Sequence, residues 1–351
     1  MDNDDDGGGV DDKWMRAARA IDSASHLLIA GGAGLSADSG LPVYADVARD
    51  EVWHRRGLDY GDLCRTETLV NMPACGFGFW AGCARKYAET QPHKGYSILE
   101  RWASEKEQAN SAVYTSNVDG FFRRFPSLAT NLCEIHGCVE EWVCGSGILS
   151  PTNGTTPCTA ASWLLHPSPV EVAALDRCCQ ERLLDGGADA HCEDATPRSS
   201  DPSDGTLAGV DWGRVPPACT QCGAILRPSV LMFGDKDEAL VTRLSAAASR
   251  YQEWEDGMET RIALDPSLSL VVVELGCGTR VPSVRLECEA VVHDLRRRGG
   301  RALLVRVNPD SEALRPATDG SDLGDDLLCL QETALAALIR LDGLRRPQHG
   351  S

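Results

Sequence analysis

The sequence contains no long hydrophobic run and no excess of basic charge. Its apolar stretches are shorter than the ~18 residues that indicate a membrane-spanning helix, so we expect no membrane partner. The formal net charge is −18. This balance argues against direct nucleic-acid binding, because nucleic-acid-binding proteins carry a basic patch or stripe. An acidic surface would attract a basic protein partner, but net charge only favours such a partner and does not identify it.

The N-terminus also lacks the features of a targeting segment. Residues 1–12 are acidic and rich in glycine, which is the opposite of a secretory signal and is typical of a disordered tail. We therefore expect an intracellular protein, in the cytoplasm or the nucleus. In a reducing compartment the 15 cysteines would be thiols, and most of them are expected to be small buried apolar groups.

Short apolar strands alternate with helical segments along the chain. The predicted strands are 26–31, 112–115, 132–135, 268–275 and 302–307. Polar residues or glycines follow the ends of these strands. This order predicts an α/β fold with a doubly wound parallel sheet, in which ligands bind at the carboxyl ends of the strands.

The predicted helices lie between and after these strands. They cover residues 13–24, 34–40, 169–184, 282–298 and 326–345. From residue 145 to residue 217 the composition shifts to proline, glycine, serine, threonine and aspartate, which predicts a long, partly disordered insertion around the helix 169–184.

The turn after the first predicted strand is a candidate phosphate site. Gly32, Ala33 and Gly34 are small enough to let the backbone approach a phosphate, and free N–H groups at a helix start favour an anion. The turn is not a P-loop, because no Gly-Lys-Ser/Thr follows it. An ordinary dinucleotide fingerprint needs a second strand that ends in an acidic residue. Asp50 and Glu51 stand at the required distance, but the sequence around them is charged and helix-like.

Five sequence blocks, in order along the chain, resemble the sirtuins, a family of NAD-dependent protein deacylases. The blocks are residues 32–42 (Gly-Ala-Gly-Leu-Ser-x-x-Ser-Gly-Leu-Pro), 115–120, 134–137, 219–235 and 303–308. Each block alone is a modest signal, whereas five in order are specific. The resemblance covers residues 13–345 and implies a Rossmann-like doubly wound parallel sheet with a smaller, zinc-ribbon-like and helical domain.

The resemblance also implies how the chain divides into these two parts. The large, NAD-binding part would comprise about residues 13–50, 88–140 and 229–345. The small part would comprise about residues 51–87 and 141–228 and would contain the insertion.

The implied reaction transfers the acyl group of a protein or peptide lysine to the ADP-ribose of NAD and releases nicotinamide. His136 would take a proton from a ribose hydroxyl, a role that suits an imidazole with an unperturbed pKa of ~6.5. Asn117 and Asp119 would hold the nicotinamide half and count as catalytic. Without the resemblance, a lone histidine is a plain polar residue, and Asn-x-Asp-Gly is a common turn.

Further residues that the resemblance implies as NAD contacts lie in loops after the strands. They are Gly32, Ala33, Gly34, Ser36, Tyr44, Ser116, Gly276, Cys277, Gly278, Asn308 and Thr333. The segment 276–279 stands where the family has Gly-Thr-Ser. Taken alone, this segment indicates a strand-to-helix turn that needs glycine.

The segment 230–235 resembles the strand-like stretch that pairs with the acyl-lysine peptide. Leu231, Phe233 and Gly234 would contact this substrate. The alternative interpretation is a plain core strand, although the Gly-Asp that follows favours a functional segment.

After Pro42 the sequence departs from the family, which has Asp-Phe-Arg where this chain has Val43-Tyr44-Ala45. Tyr44 keeps an aromatic ring. Ala45, however, lacks the guanidinium that would orient NAD through forked, charge-assisted hydrogen bonds. Residues that could replace this arginine are Arg49, Arg55 and Arg56.

The implied zinc module is incomplete as well. Structural zinc has four ligands, often in two close pairs. Cys219 and Cys222 form one pair, and Cys144 would begin the other, but Gly147 occupies the expected partner position. The fourth ligand is open between Cys138, Cys158, Cys178, Cys179 and Cys192, and loss of zinc is the alternative.

Two other functions remain open from the sequence. The same site could serve an NAD glycohydrolase or a mono-ADP-ribosyltransferase. Ala45 and the altered loop 276–278 depart from the deacylase pattern and leave these two activities as alternatives. The chain could also be a catalytically dead NAD-binding sensor, but the presence of Asn117, Asp119 and His136 argues against this.

Overall fold

Six parallel strands form the main sheet of the protein. In the computed structural model, residues 7–43, 51–107, 110–149, 158, 168–184, 217–317 and 323–345 are described. The sheet order is β3-β2-β1-β6-β7-β8, which is the doubly wound order of dinucleotide-binding folds. The predicted α/β fold class is therefore confirmed.

The strands of this sheet are almost entirely buried. They are β1 (His26–Gly31), β2 (Ser111–Thr115), β3 (Leu132–Glu134), β6 (Leu270–Leu275), β7 (Ala302–Val307) and β8 (Leu327–Leu330). In the central strand, Ile29 lies opposite Val113 on one side and Val273 on the other. Such continuous apolar runs are expected for parallel strands that are covered on both faces.

Helices cover the two faces of the sheet. They are α1 (Gly7–Ser23), α2 (Ala33–Ala37), α7 (Lys94–Ser104), α8 (Pro126–Ala129), α10 (Glu238–Leu264), α11 (Ser283–Arg297) and α12 (Ala334–Arg345). Trp14, Trp102 and Leu338 belong to the apolar cluster on one face. Met258 and Val291 belong to the cluster on the other face.

A smaller part of the molecule has its own apolar core. It contains the antiparallel strands β4 (Gly137–Cys144) and β5 (Leu226–Val230) and the helices α3 (Glu51–His54), α4 (Tyr60–Leu63), α5 (Thr66–Asn71), α6 (Pro73–Glu89) and α9 (Pro169–Leu184). The rings of Phe77 and Trp142 stack here with centroids 6.4 Å apart. The proposed residue boundaries between the two parts stay a prediction.

The structure corrects the predicted helix 326–345. Residues 327–330 form β8, which pairs with β7, and the helix begins only at Ala334. A short apolar run such as Leu-Leu-Cys-Leu fits a strand or a helix equally well. Backbone pairing with the edge of β7 makes this run a strand.

The first helix is longer than predicted. It begins at Gly7, so residues 7–12, assigned to a disordered tail, are helical. Asp11 pairs with Arg340 at 2.7 Å, and the Arg340 guanidinium lies 4.3 Å from the centroid of the Trp14 ring. Among the described residues, no helix has both the length and the apolar character needed to cross a bilayer.

Candidate active site

A pocket of about 180 Å³ opens where the loops after the parallel strands meet the small part. Eight of the residues predicted from the sequence line it: Ala33, Ser36, Ser116, Asn117, Asp119, His136, Leu231 and Phe233. They come from the short helix α2 after β1 and from the loops after β2, β3 and β5. The sheet thus brings together residues that are up to 200 positions apart in the chain.

A buried hydrogen-bond network joins Ser36 to the loop after β2. The Ser36 hydroxyl donates to Asp119 Oδ2 at 2.5 Å, and Asn117 Nδ2 donates to Ser36 Oγ at 3.1 Å and to the Gly32 carbonyl at 3.0 Å. Burial raises the pKa of Asp119, and the bond from Ser36 opposes this rise. The network therefore fixes the orientations of the Asn117 and Asp119 side chains, which line the pocket.

His136 is half-buried at the end of β3 and lines the same pocket. Burial lowers its pKa below the ordinary value, while a hydrogen bond between its ring and the Ser116 backbone partly opposes this shift. Its own carbonyl accepts a hydrogen bond from the Leu231 N–H at 2.9 Å. The imidazole is therefore neutral near neutral pH, and its loop is joined to the segment after β5.

The glycine turn after β1 packs directly against the loop after β6. The Gly32 N–H donates to the Leu275 carbonyl at 3.0 Å, and the Gly34 N–H donates to the Gly276 carbonyl at 2.9 Å. A Cβ on Gly32 would lie 2.7 Å from Cys277 Cα, which is closer than real Cβ contacts. These glycines therefore permit a close loop-to-loop approach, and Ala33 is the member of the turn that lines the pocket.

The helix after this turn is shorter than predicted. It covers only five residues, Ala33–Ala37, instead of 34–40. His93 supports it from outside: its Nδ1 accepts from the Gly95 N–H, so the Nε2–H donates to the Leu35 carbonyl at 2.9 Å. Burial lowers the pKa of His93, which favours this neutral form.

Three further predicted NAD contacts, Cys277, Gly278 and Asn308, follow the carboxyl ends of β6 and β7 but do not line the pocket. Asn308 Nδ2 donates to the Cys277 carbonyl at 3.0 Å. The Cys277 thiol is buried in the core and bonds to the Leu275 carbonyl, so only the backbone of this residue is at the edge. A Cβ on Gly278 would meet nothing within 4 Å.

Of the two remaining predicted contacts, Thr333 does not line the pocket and Tyr44 cannot be placed. Thr333 directly precedes α12, and its carbonyl accepts from the Ala337 N–H at 3.0 Å. Tyr44 lies outside the described residues, as do Ala45 and Arg49.

The segment after β5 forms one side of the pocket. Phe233 is 48% exposed, and its N–H donates to the Cys64 carbonyl at 2.8 Å. Gly234 has φ +74°, a conformation that favours glycine. The buried Arg227 fixes this turn with a forked pair of hydrogen bonds to Asp235, at 3.0 and 2.6 Å. The segment is an irregular stretch after the strand rather than the plain core strand of the alternative interpretation.

Sequence reasoning missed the contribution of the small part to the pocket. Tyr60, Cys64, Trp80 and Tyr87 line it together with Met232. Tyr60 and Trp80 both pack their rings edge to face against Phe79, at centroid distances of 6.1 and 5.0 Å. No spacing signal distinguishes such rings from ordinary core residues in a helical segment.

Four cysteine thiols converge in the small part. Cys144, Cys158, Cys219 and Cys222 have all their sulfurs within 4.8 Å of one another. Tetrahedral zinc, with Zn–S bonds of ~2.3 Å, separates its sulfurs by about 3.8 Å. The Sγ atoms of Cys144 and Cys222 are 3.5 Å apart, and those of Cys158 and Cys219 are 3.9 Å apart. The cluster therefore fits a zinc ion, with Cys158 as the fourth ligand.

The other candidates for the fourth ligand are not in this cluster. Cys138 is buried at the start of β4, and Cys178 and Cys179 lie on α9. Cys192 lies outside the described residues.

Comparison with known proteins gives consistent matches. The model of the Sir2 family matches residues 32–255. The chain is 26% identical over 269 residues to NAD-dependent protein deacylase 2 of Pseudomonas aeruginosa, which covers 75% of this chain and 80% of the relative. It is 24% identical over 286 residues to the NAD-dependent protein deacylase of Candida albicans, which covers 81% of this chain and 83% of the relative. The crystal structure of a Sir2 homologue in complex with NAD matches with a TM-score of 0.52 at 16% identity, covering 94% of this chain and 93% of the other. This last likeness shows the fold.

Proposed function

The chain belongs to the Sir2 family, and from this premise we propose that it is an NAD-dependent protein-lysine deacylase. It would remove the acyl group from a lysine of a protein or peptide and release nicotinamide. The observation that carries the proposal is the pocket that holds His136, Asn117 and Asp119 together. The names of the relatives, NAD-dependent protein deacylases, support the same activity.

His136 serves as the general base in this proposal. A base must be unprotonated at the working pH, and burial lowers the His136 pKa. The hydrogen bond to the Ser116 backbone engages one ring nitrogen and orients the imidazole, so the other ring nitrogen can take a proton from a ribose hydroxyl at a defined position. An imidazole pKa near working pH makes this transfer efficient.

The residues present fit NAD as the partner of this reaction. The buried hydroxyl of Ser36, amide of Asn117 and carboxyl of Asp119 line a pocket at the carboxyl ends of the strands, where dinucleotides bind in doubly wound folds. Asn117 uses its amide N–H groups within the chain and so offers its Oδ1 as an acceptor. When bound, NAD supplies the ribose carbon that receives the acyl oxygen as nicotinamide leaves.

The acyl-lysine would lie against the segment after β5, with Leu231 and Phe233 as its contacts. Because Leu231 is bonded to the His136 carbonyl, the segment is positioned relative to the base. The four-cysteine cluster would hold a structural zinc ion. All four ligands come from the protein, which is typical of structural rather than catalytic zinc.

The test is nicotinamide release from NAD with and without an acetyl-lysine peptide. We expect release that depends on the peptide and is lost in His136→Ala. The matched control is His293→Ala, which removes an imidazole from α11, outside the pocket. Release without peptide would favour an NAD glycohydrolase or transferase instead. NAD binding without any release would leave only a sensor.

A further inference from the structure

The strand that follows His136 is irregular near its start. β4 pairs with β5 through Cys138 and Ser229, and again through Trp142 and Pro228. Three residues of β4 lie between these two pairs, whereas the two partners in β5 are adjacent, so the ladder is interrupted there. Irregularities of this kind bend a strand and are frequent next to active sites. Contacts other than strand pairing therefore position this stretch.

Two arginines bind one carboxylate in the irregular stretch. Arg243, on α10, donates to Glu141 Oε2 at 2.8 Å, and Arg123, in the segment after β2, donates to Glu141 Oε1. The Glu141 side chain is 7% exposed. Burial alone would raise the pKa of Glu141, but the bonds from the two arginines hold it below its ordinary value. Glu141 is thus an ionised carboxylate between two guanidinium groups.

Each arginine also binds a second residue beside the pocket. Arg123 donates its Nε–H to Glu134 Oε2 at 2.8 Å, at the end of β3 and just before the base. Arg243 donates to Ser229 Oγ at 2.9 Å, in β5 and just before the segment proposed to meet the substrate. Glu141 therefore lies at the centre of a chain of contacts that joins the strand before the base to the strand before the substrate segment.

This chain of contacts is separate from the groups that would face NAD. In the described part of the protein, the network of Ser36, Asn117 and Asp119 does not include Glu141. A shift of β4 would therefore move His136 relative to a bound ribose and leave the NAD side of the pocket in place.

Resting on the proposed deacylase function, we propose that Glu141 is a positioning residue, which holds His136 and the substrate segment in register through Arg123 and Arg243. Desolvation offsets much of the attraction within a buried ion pair, so we expect Glu141 to contribute to geometry more than to stability. Each arginine keeps its other partner when Glu141 is replaced, and their side chains are 30% and 27% exposed. The replacement therefore buries no unpaired charge.

The test replaces Glu141 by glutamine. An amide has one acceptor oxygen and turns an N–H group toward the second arginine, so one of the two contacts is lost. A misplacement of about 1 Å can lower a rate about 100-fold. At saturating NAD and acetyl-lysine peptide we expect kcat to fall at least about tenfold, which corresponds to about 1.4 kcal/mol. The assays are run at about pH 8, since burial raises the pKa of Glu134 to about 7 and both carboxylates are then ionised.

Glu140→Gln is the matched control. Glu140 is the neighbour of Glu141 in β4, its side chain is 37% exposed, and it pairs with Arg124 at 3.2 Å. An exposed ion pair contributes little, so kcat of this variant should stay within about twofold of the wild-type value. An equal fall of kcat in both variants would contradict the assignment to Glu141.

The KM for NAD separates positioning from a general loss of structure. Positioning predicts that KM for NAD in Glu141→Gln stays within about twofold, because the loss arises after NAD has bound. A merely structural role predicts a lower melting temperature with an unchanged kcat per folded molecule, as counted by circular dichroism. That second result would overturn the inference.

Arg243→Gln tests the chain of contacts from its other end. We expect kcat to fall at least about threefold, and the double variant with Glu141→Gln to lose no more than about twofold beyond Glu141→Gln alone, since both act through one contact. Fully additive losses contradict the chain. If Glu141→Gln does not fold, kcat of Arg243→Gln decides, and an unchanged value overturns the inference.

The two proposals fail in different ways. Absence of peptide-dependent nicotinamide release from the wild-type protein contradicts the deacylase function, and the inference about Glu141 falls with it. Peptide-dependent release that is equally fast in the wild-type protein and in Glu141→Gln leaves the deacylase function intact and overturns only the positioning role.

Discussion

Replacing Gly276 by alanine should damage the contact between the loops after β1 and β6. Gly276 has φ +62°, a left-handed conformation that alanine adopts at a cost of about 1–2 kcal/mol. Its added Cβ would also lie 2.4 Å from the Gly34 carbonyl carbon and from the Leu35 nitrogen. Both are backbone atoms, so a side-chain rotation cannot relieve the overlap.

The expected loss of stability follows from these two contributions. Forcing extra volume into a packed region costs about 1–3 kcal/mol, so with the backbone strain the free energy of unfolding should fall by about 2–5 kcal/mol. The displaced loop also carries the Cys277 carbonyl that holds Asn308. We therefore expect the KM for NAD to rise as well.

Gly278 provides a control in the same loop. A Cβ there meets nothing within 4 Å, and its φ is not in the left-handed region, so Gly278→Ala should change the free energy of unfolding by no more than about 0.5 kcal/mol. Urea denaturation of both variants, with KM for NAD measured in parallel, checks the prediction. Equal stability of the two variants would refute the packing argument.

Two further predictions concern the metal cluster and the base. Purified wild-type protein should contain one equivalent of zinc by metal analysis, and Cys158→Ser should lose it whereas Cys178→Ser, on α9, should keep it. Zinc-free wild-type protein would contradict the four-cysteine site. For His136, burial lowers the pKa, so the ring stays unprotonated above its ordinary pKa of ~6.5. We expect kcat/KM to be level above about pH 7 and to fall on acidification below the ordinary histidine range; an acid limb that begins above this range would contradict the lowered pKa.

Much of the fold could be predicted because its strands are short, apolar and separated by helices. The strand 302–307 and the helix 169–184 have the predicted bounds. The strand 327–330 was missed because its identity depends on pairing with the open edge of β7, which is a tertiary contact. The site residues at the carboxyl ends of the strands were predictable as well, because each of their loops directly follows a predicted strand.

The rest of the site depends on contacts that no local pattern records. Cys158 is 61 residues from Cys219, so spacing alone could not select it among five candidates. The role of Gly32 and Gly34 as a phosphate cradle stays a prediction; their N–H groups bond to Leu275, the last residue of β6, and to Gly276, contacts that no local pattern records. No sequence pattern singles out Trp80 and its neighbours, because a pocket wall and a core use the same apolar side chains.

The hydrogen bond between the Leu231 amide and the His136 carbonyl provides a natural spectroscopic reporter. Its amide proton belongs to the segment that would meet the substrate, and its acceptor belongs to the residue that would perform the chemistry. Hydrogen–deuterium exchange at this single amide therefore measures how often the two separate. A ligand that binds to both segments and holds them together would slow that exchange without requiring any turnover.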